Sequence, residues 1–407
     1  MLQRLSGLGS VLVLLCCLVS GQAAWAACPG FSDVIRRGSF FLADAAGREL
    51  ASCNPDLKLV PASLIKIGTV LAAMRILGPE YRFSTEFFLD DRNNLYIRGN
   101  GDPMLVSEEV ARALEQLRAL GVATINSIFV DDTRFALRHQ APGLGRTANP
   151  YDAPVAATAV NFNSVAMFVG EEGIVRSAEP QTPYLEIMKV LGRGLPPGRH
   201  RVHVCWRGGR PAQQSARLTG ELVRALQRRL GIAGQGRIGR ARVKKGARLV
   251  LVYRNSHTLR DISRSLLRFS NNFMANLIYL ACGAERFGYP ATWDKARQAV
   301  SGELAGLLGD RWTDSFFLED GAGLSRQNRV TSRSMTALLV AFAPWAHLLP
   351  EKQGVRLKSG TLGQVFNYAG YLPGNRPFVV LLNQEKNTRD TVLARVKALA
   401  DRHVSDR

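Results

Sequence analysis

Residues 61–76 read PASLIKIGTVLAAMRI, and this stretch decides the fold prediction. From Leu64 onward the run is apolar almost all round, which is typical of a helix that is buried on every side. Glycine and proline at residues 78–79 end the run. The sequence therefore predicts a central buried helix that opens at Ser63 and carries Lys66 one turn later.

Strand-like segments lie near both ends of the chain, and helical patterns fill much of the interval between them. The strand-like segments near the ends are residues 38–45, 49–52, 354–361, 366–372 and 377–383. The helical patterns in the second half of the chain are residues 258–268, 271–283, 291–308, 331–342 and 388–402. This order predicts an α+β domain whose antiparallel sheet is closed by the C-terminal strands.

A mixed segment interrupts that domain. Its predicted elements are a hairpin at 83–98, helices at 107–120 and 215–230, and strand-like runs at 127–131, 201–207 and 248–253. We therefore predict one domain that is split between residues 27–80 and 251–407. Residues 81–250 are predicted to form an inserted domain of mixed α+β structure.

The first residues have the features of an export signal. Arg4 precedes an apolar stretch at residues 8–19, and Ala24-Trp25-Ala26 gives the small-x-small pattern of a signal-peptidase site. We predict a cleavable signal peptide over residues 1–26, export to the periplasm and no transmembrane anchor. A buried N-terminal helix and lipid attachment at Cys28 are the alternatives. The tryptophan in the cleavage pattern argues against lipid attachment.

Four cysteines remain after removal of this signal: Cys28, Cys53, Cys205 and Cys282. An oxidising compartment permits disulfides, and four cysteines allow three pairings. Because Cys28 and Cys53 both lie near the mature N-terminus, that pair is favoured, and the other pairings stay open.

The chain carries a formal net charge of +20. A surface of this kind attracts anionic partners over long distances. Nucleic acid is not predicted as a partner, because the chain has no recognisable nucleic-acid-binding motif and is expected to be exported. Anionic envelope polymers fit the charge better, and a basic surface that is simply solvated is the alternative.

Three short motifs follow one another in a fixed order. They are Ser63-Leu64-Ile65-Lys66, Ser270-Asn271-Asn272 and Lys358-Ser359-Gly360-Thr361. Each motif alone is weak, but the first opens an apolar helix, the second lies in a turn between helices and the third ends a strand. The alternative without catalysis is a helix N-cap at Ser63, a linker residue at Ser270 and a solvated strand end at Lys358.

The first motif combines a nucleophile with a base. Ser63 at the start of a helix has its oxygen where free backbone N–H groups favour negative charge. Lys66 lies one turn further along the same face and can reach the hydroxyl. Burial, and a second positive charge from Lys358, would lower the pKa of Lys66 until the amine can accept the serine proton.

The second motif supplies proton-relay and positioning groups. Ser270 can pass a proton to the leaving amine, and Asn272 can hold both the substrate amide and Lys66 in place. Together with Ser63 and Lys66, these two residues are the predicted catalytic set.

The third motif supplies the predicted substrate-binding residues Lys358, Ser359, Gly360 and Thr361. Lys358 and Gly360 face the same side of an extended strand, so Gly360 is predicted to leave room there for the substrate backbone. The backbone N–H groups of Ser63 and Thr361 are the predicted oxyanion hole.

Other candidate sites are weaker. His200, His203 and Cys205 are spaced like parts of a metal site, but only the last two share a face of a strand and no carboxylate cluster accompanies them. A structural role is therefore favoured, and the sequence predicts no metal and no cofactor. No Gly-x-Ser-x-Gly elbow is present, so a Ser-His-Asp hydrolase is not supported.

The ordered motifs are the signature of serine β-lactamases and penicillin-binding proteins. The chain resembles in particular the class C low-molecular-mass penicillin-binding proteins, the D-alanyl-D-alanine carboxypeptidase/endopeptidase family. Further segments that carry the resemblance are residues 61–66, 77–78, 81–83, 100–105, 130–133 and 320–329. The likeness extends from about residue 30 to residue 385 and is weakest over residues 165–250.

The resemblance implies a penicillin-binding-protein/serine β-lactamase-like transpeptidase domain that carries an insertion. It implies cleavage of peptidoglycan stem peptides at D-alanyl-D-alanine, extending to D-alanyl cross-links, with β-lactam antibiotics as covalent inhibitors. By analogy, Ser63 is the nucleophile that forms the acyl-enzyme and Lys66 is the proton acceptor. Ser270 and Asn272 then serve as relay and positioning groups, and Lys358 as the anchor for the substrate carboxylate.

Two alternatives and two departures accompany this prediction. A β-lactamase would turn penicillin over, but the Glu-x-x-Leu-Asn deacylation motif of class A enzymes is absent. A non-catalytic peptidoglycan- or penicillin-binding module is the alternative from another class. The first departure is Ala322, which replaces the serine usual in the family. The second is the segment between Arg329 and Lys358, which is shorter than usual, a difference that could open the site. The inserted region also looks shortened.

Overall fold

The computed structural model describes residues 28–309, 314–352 and 354–405, so the predicted signal peptide lies outside the described residues. The helices in the described part of the chain are α1 (Ile65–Ile76), α2 (Ser107–Ala119), α3 (Glu186–Gly192), α4 (Pro211–Arg229), α5 (Leu259–Phe269), α6 (Asn272–Phe287), α7 (Trp293–Leu308), α8 (Ser332–Phe342) and α9 (Arg389–Ser405). Short 3₁₀ turns include Ala62–Leu64, directly before α1, and Pro150–Asp152.

The strands of the described residues form four sheets. They are β1 (Gly38–Ala43), β2 (Glu49–Cys53), β3 (Ser84–Leu89), β4 (Leu95–Gly99), β5 (Ile128–Asp131), β6 (Ser164–Val169), β7 (Val175–Ser177), β8 (Gly198–His203), β9 (Ile238–Arg240), β10 (Arg248–Arg254), β11 (Phe316–Phe317), β12 (Arg329–Val330), β13 (Glu351–Lys352), β14 (Val355–Leu362), β15 (Val365–Leu372) and β16 (Arg376–Leu382).

The largest sheet joins the two ends of the chain. Its strand order is β13-β14-β15-β16-β1-β2, and every neighbouring pair is antiparallel. All six residues of β1 are buried, because α8 packs on one face of the sheet and α9 on the other. The sheet closed by C-terminal strands that the sequence predicts is therefore present.

Helix α1 lies at the centre of the main hydrophobic core. Residues 65–74 are all buried, and α5, α6, α7 and α8 pack around the helix. Burial of apolar surface stabilises the folded state, so a helix that is apolar on every side is most stable when every side is covered. This segment therefore takes the central position. Lys66 is buried with it, so the central helix carries a charge-bearing group into the core.

The predicted insertion builds its own sheets. A five-stranded sheet has the order β10-β3-β4-β5-β9, and a three-stranded sheet has the order β7-β6-β8. Helices α2 and α4 pack together on a separate hydrophobic core. The predicted boundary after residue 250 falls within β10, whose last residues pair with β3, and the division into domains stays a prediction.

The structure differs from the sequence-based expectation in a few places. The α-helix begins two residues later than predicted, because Ser63 lies in the 3₁₀ turn Ala62–Leu64 that leads directly into α1 at Ile65. The backbone of Ala62 is left-handed, with φ of 48°, which prevents the α-helix from extending further back. Short elements such as β6, β7 and α3 were not predicted, since they lack a regular alternation of apolar and polar residues.

Two further predictions can be compared with the structure. Cys28 and Cys53 form a disulfide with a Cα–Cα distance of 5.5 Å, the pairing that the sequence favoured, whereas Cys205 and Cys282 are free. The second prediction is a structural role for the run that contains His203 and Cys205. Both ring nitrogens of His203 contact the backbone: Nε2 lies 2.7 Å from the carbonyl oxygen of Thr147, and Nδ1 lies 3.2 Å from the backbone N of Cys205.

Within the described residues, no helix is long and apolar enough to span a bilayer.

Candidate active site

The turn that carries Ser63 is clamped by two asparagines from the central sheet. The backbone N of Val60 donates to Asn383 Oδ1 at 2.8 Å. The carbonyl of Val60 accepts from Asn383 Nδ2 at 3.1 Å and from Asn367 Nδ2 at 2.9 Å. These contacts fix the chain three residues before Ser63, whose side chain stays partly accessible at the start of α1.

Two glycines let the backbone approach this turn closely. A Cβ atom added at Gly323, where φ is +81°, would lie 2.0 Å from the carbonyl oxygen of Ala62. A Cβ atom at Gly360 would lie 2.6 Å from the carbonyl oxygen of Pro61. The prediction that Gly360 leaves room for substrate backbone is therefore wrong: the turn before Ser63 occupies that space, and the glycine allows β14 to pack against it.

Lys66 points from α1 into a cage of three oxygen atoms. Its Nζ atom lies 2.8 Å from Ser63 Oγ, 2.8 Å from Asn272 Oδ1 and 2.6 Å from the carbonyl oxygen of Ala322. The amide oxygen and the carbonyl can only accept hydrogen bonds, so they take two N–H groups of the lysine. In the neutral amine, the remaining lone pair is then directed at the Ser63 hydroxyl.

The surroundings of Lys66 favour the neutral amine. Burial lowers the pKa of Lys66 well below its ordinary value, and the positive charge of Lys358 lowers it further. The carboxylate of Asp320 acts in the opposite direction. Geometry and electrostatics therefore agree that Lys66 can remove the proton of Ser63.

Lys358 connects the third motif to the second. It is buried, and its Nζ atom donates to Ser270 Oγ at 2.8 Å and to the carbonyl oxygen of Ser359 at 2.9 Å. Burial lowers the pKa of Lys358 to about 8. Ser270 is the C-cap residue of α5, with a left-handed φ of 53°. Its hydroxyl is thus held beside a positive charge at the partly accessible side of the site.

Beyond β13, no strand of the described chain pairs with the edge of β14 nearest the Ser63 turn. The N–H of Leu357 donates to the carbonyl oxygen of Pro350 at 2.9 Å, so it points away from β15. Alternate residues of an antiparallel strand point their N–H groups to the same edge, which places those of Ser359 and Thr361 there as well. Among the described residues, strand β13 pairs with Val355 and Arg356 and with no later residue of β14, so this part of the edge is open. The Thr361 N–H is accordingly available as an oxyanion donor.

A buried aspartate organises the loop that supports the cage around the lysine. Asp320 Oδ1 accepts the backbone N–H groups of residues 322–324 at 2.7–3.1 Å. Its Oδ2 accepts from the backbone N of Ser325 at 2.9 Å and from Asn328 Nδ2 at 2.8 Å. These bonds hold the loop in the one conformation that presents the carbonyl of Ala322 to Nζ.

The segment that the sequence predicts to be inserted also reaches the site. Asn272 Nδ2 donates to the carbonyl oxygen of Tyr151 at 3.2 Å, and the Tyr151 side chain is exposed. The Pro150–Asp152 turn packs against α6 and borders the site beside Asn272. The same asparagine therefore contacts both the lysine and this turn.

The structure brings the three motifs together at the N-terminal end of α1. Ser63, Lys66 and Asn272 form one connected set, and Lys358 with Ser270 forms a second. The motifs did not reveal the contributions of Asp320, Ala322 and Tyr151. The glycine-rich run from Asp320 to Ser325 indicated a specialised turn, but nothing in the sequence pointed to the main-chain contacts of the other two residues.

Solved structures share this architecture. The crystal structure of penicillin binding protein 4 (dacB) from Haemophilus influenzae matches with a TM-score of 0.69 at 21% sequence identity, over 87% of this chain and 92% of that chain. A structure of the same protein complexed with a β-lactam matches with a TM-score of 0.67 at 20% identity, over 91% and 98%. The predicted α+β fold of the penicillin-binding-protein class is thus confirmed.

Sequence comparison points to the same group of proteins. The D-alanyl-D-alanine carboxypeptidase of Actinomadura sp. strain R39 is 26% identical, over 81% of this chain and 74% of that protein. The D-alanyl-D-alanine carboxypeptidase DacB of Haemophilus influenzae is 25% identical, over 80% of each. The D-Ala-D-Ala carboxypeptidase 3 (S13) family matches residues 40–192 and 188–402, which together span most of the chain. The chain therefore belongs to the D-Ala-D-Ala carboxypeptidase 3 (S13) family of peptidases, and the family resemblance predicted from its motifs is confirmed.

Proposed function

We propose that this protein is a serine-type D-alanyl-D-alanine carboxypeptidase that acts through an acyl-enzyme on Ser63. The observation that carries the proposal is the position of Lys66, a buried amine 2.8 Å from Ser63 Oγ whose two remaining contacts are fixed acceptors, Asn272 Oδ1 and the carbonyl of Ala322. Family membership supports the substrate class. The catalytic domain in this proposal consists of residues 27–80 and 251–407, and residues 81–250 form the inserted domain.

Acylation begins when neutral Lys66 takes the proton of Ser63. The Ser63 oxygen then forms a bond to the carbonyl carbon between the two D-alanines, and the negative charge on the carbonyl oxygen is stabilised by the N–H groups of Ser63 and Thr361. Collapse of this intermediate breaks the C–N bond. A proton passes from Lys66 through Ser270 to the leaving amine, which departs as D-alanine.

Deacylation reverses these roles. Water loses a proton to Lys66 and attacks the ester carbonyl, and the proton returns to Ser63 as the ester bond breaks. Asn272 holds Lys66 during both steps and is positioned to bind the substrate amide. Ser359 and Thr361 line the substrate side, Lys358 supplies a buried positive charge behind them, and Gly360 packs against the Ser63 turn. The same steps on a D-alanyl cross-link between stem peptides would make the enzyme an endopeptidase as well.

The proposed location is the periplasm, reached through the signal peptide at residues 1–26, with the peptidoglycan as substrate.

The basic surface supports an accessory contact with an anionic envelope polymer. No aspartate or glutamate occurs between Glu221 and Asp261. Ala241 and Val243 pack on buried aromatic side chains of the five-stranded sheet, and exposed basic residues alternate with them or follow them. These exposed residues are Arg242, Lys244, Lys245 and Arg248.

Sedimentation with purified sacculi tests this contact. A variant with Arg242, Lys244 and Lys245 changed to glutamine is expected to sediment less than the wild type at low salt. Its hydrolysis of a soluble peptide should stay unchanged. Equal sedimentation of both proteins at every salt concentration would contradict the contact.

The test of the proposed activity is release of D-alanine from a peptide that ends in D-Ala-D-Ala. The wild type should release it, and Ser63→Ala should not. Rapid turnover of benzylpenicillin without peptide hydrolysis would indicate a β-lactamase instead. Binding of penicillin without either reaction would indicate a non-catalytic module.

A further inference from the structure

An arginine outside the three motifs contacts the end of the third motif. Arg389 is the first residue of α9, and its Nη1 atom donates to Thr361 Oγ1 at 2.8 Å. Thr361 is exposed, and Arg389 is half-buried. The guanidinium therefore lies directly beside the residue whose backbone N–H is the proposed oxyanion donor.

The position of this arginine is fixed by a buried tyrosine. The Arg389 guanidinium lies over the ring of Tyr368, 4.6 Å from the centroid. The Tyr368 hydroxyl accepts from Lys352 Nζ at 2.6 Å and donates to Asp390 Oδ1 at 2.9 Å. The ring is thus locked in place, and it presents the guanidinium to Thr361 rather than leaving it free in solvent.

Local stability does not explain this placement. A positive charge in the first turn of a helix is opposed by the helix dipole, which favours anions there. Within the described part of the chain, no carboxylate forms an ion pair with Arg389, and its buried Nε atom has no acceptor. The buried Nε N–H cannot reach a ligand, so the Nη N–H groups beside Thr361 are the donors that a ligand there would take.

The chemistry of the proposed reaction requires an anion at this place. In a peptide that ends in D-Ala-D-Ala, three bonds separate the scissile carbonyl carbon from the terminal carboxylate carbon, which limits their distance to about 4 Å. With the carbonyl oxygen bound by the Thr361 N–H, the carboxylate must lie close to Thr361. Lys358 contributes positive charge from the protein interior, but its buried Nζ atom already donates to Ser270 Oγ and to the carbonyl oxygen of Ser359.

We propose that Arg389, together with the Thr361 hydroxyl, binds the terminal carboxylate of the substrate and makes the enzyme selective for a free C-terminus. This inference rests on the proposed carboxypeptidase function. It adds a specificity-determining residue that none of the three motifs contains. A guanidinium suits this task because its planar donors match the two oxygens of a carboxylate.

The test compares one peptide that ends in D-Ala-D-Ala with the same peptide bearing a C-terminal amide. The wild type is expected to prefer the carboxylate by at least about tenfold in kcat/KM, since charge-assisted hydrogen bonds discriminate at that level. Arg389→Gln should lower kcat/KM for the carboxylate about tenfold to a hundredfold. It should change the rate on the amide by less than about twofold, because no charge is lost there. Arg402→Gln, at the exposed far end of the same helix, is the matched control and should leave both rates unchanged.

Several results would overturn the inference and can be separated from failure of the proposed function. An equal loss on both substrates would make Arg389 a structural residue, and equal rates for Arg389→Gln and wild type would leave it without a role in binding. If the glutamine variant does not fold, the wild type and Arg389→Lys provide the test. A wild type with the same kcat/KM on the carboxylate and the amide peptide contradicts the proposal. So does a lysine variant whose kcat/KM falls equally on both peptides. A wild type that hydrolyses neither peptide refutes the proposed function itself.

Discussion

The Nζ atom of Lys66 lies 2.8 Å from Ser63 Oγ, and Asn272 Oδ1 holds the same nitrogen from another side at 2.8 Å. An ammonium group has no lone pair, so Lys66 serves as a base only when it is neutral. Burial favours that neutral form. Substitutions around this pair should therefore change the acylation rate or its pH dependence.

Replacement of the base should slow acylation far more than it weakens binding. We expect Lys66→Gln to lower the second-order rate of acylation by benzylpenicillin by about 10²–10⁴-fold, the range for loss of a general base. Lys58→Gln, at an exposed lysine close in sequence, is the control and should acylate at the wild-type rate. Stopped-flow or quench measurements provide the rates, and acylation of Lys66→Gln at the wild-type rate would exclude Lys66 as the base.

A carboxylate in place of the amide that holds Lys66 should move the acid limb of the pH profile. In Asn272→Asp the new negative charge favours the protonated ammonium and raises the pKa of Lys66. As pH falls, Lys66 is then protonated earlier, so the acid limb of the acylation rate shifts to higher pH. Asn271→Asp keeps the helix cap on Met274 N and should shift the limb less, since Asn271 is half-exposed. Identical acid limbs in Asn272→Asp and wild type would be inconsistent with this pairing.

Lys358 should set the alkaline limb. Its pKa is about 8 because of burial, so the charge that attracts the substrate carboxylate is lost as pH rises through that value. We expect kcat/KM for the D-Ala-D-Ala peptide to fall above an apparent pKa of about 8. Lys358→Arg retains its charge to higher pH and should lose this limb, even if its rate at neutral pH is lower. A wild-type profile that rises steadily from pH 8 to pH 10 would contradict the assignment.

The contact between Gly323 and Ala62 should be intolerant of a methyl group. Gly323→Ala would place Cβ 2.0 Å from the Ala62 carbonyl oxygen, so the Ser63 turn must move. We expect at least a tenfold loss in the acylation rate and a loss of unfolding free energy above the roughly 1 kcal/mol that a left-handed alanine costs by itself. Gly374→Ala measures that backbone cost alone, because its φ is +77° and nothing lies within 4 Å. Equal effects of the two substitutions, from denaturant unfolding and acylation kinetics, would show that the turn is not constrained by Gly323.

Much of the fold followed from patterns that the residues themselves impose. The apolar run of α1 has no polar face, so burial at the centre was the one placement that satisfied it. The hairpin β3–β4 and the three C-terminal strands followed from turns between regular runs. The two-residue shift at the start of α1 could not be predicted, because no local pattern indicates the left-handed backbone at Ala62 or the close approach of Gly323 to it.

The candidate site likewise contains side chains that the sequence could reveal and contacts that it could not. Side chains with distinctive chemistry, such as Ser63, Lys66 and Lys358, could be found from their spacing. The carbonyl of Ala322 could not, because every residue has a carbonyl and only the hydrogen bonds of Asp320 select this one. The contact of Arg389 with Thr361 depends on how α9 packs on the sheet, a relationship between distant segments.

The central claim is that Ser63 forms the covalent acyl-enzyme. Intact-protein mass spectrometry after incubation with benzylpenicillin tests it most directly. The wild type should gain the mass of one penicilloyl group, peptide mapping should place that mass on residue 63, and Ser63→Ala should gain none. A wild type that remains unmodified, or a Ser63→Ala variant that is labelled as fully as the wild type, would contradict the account.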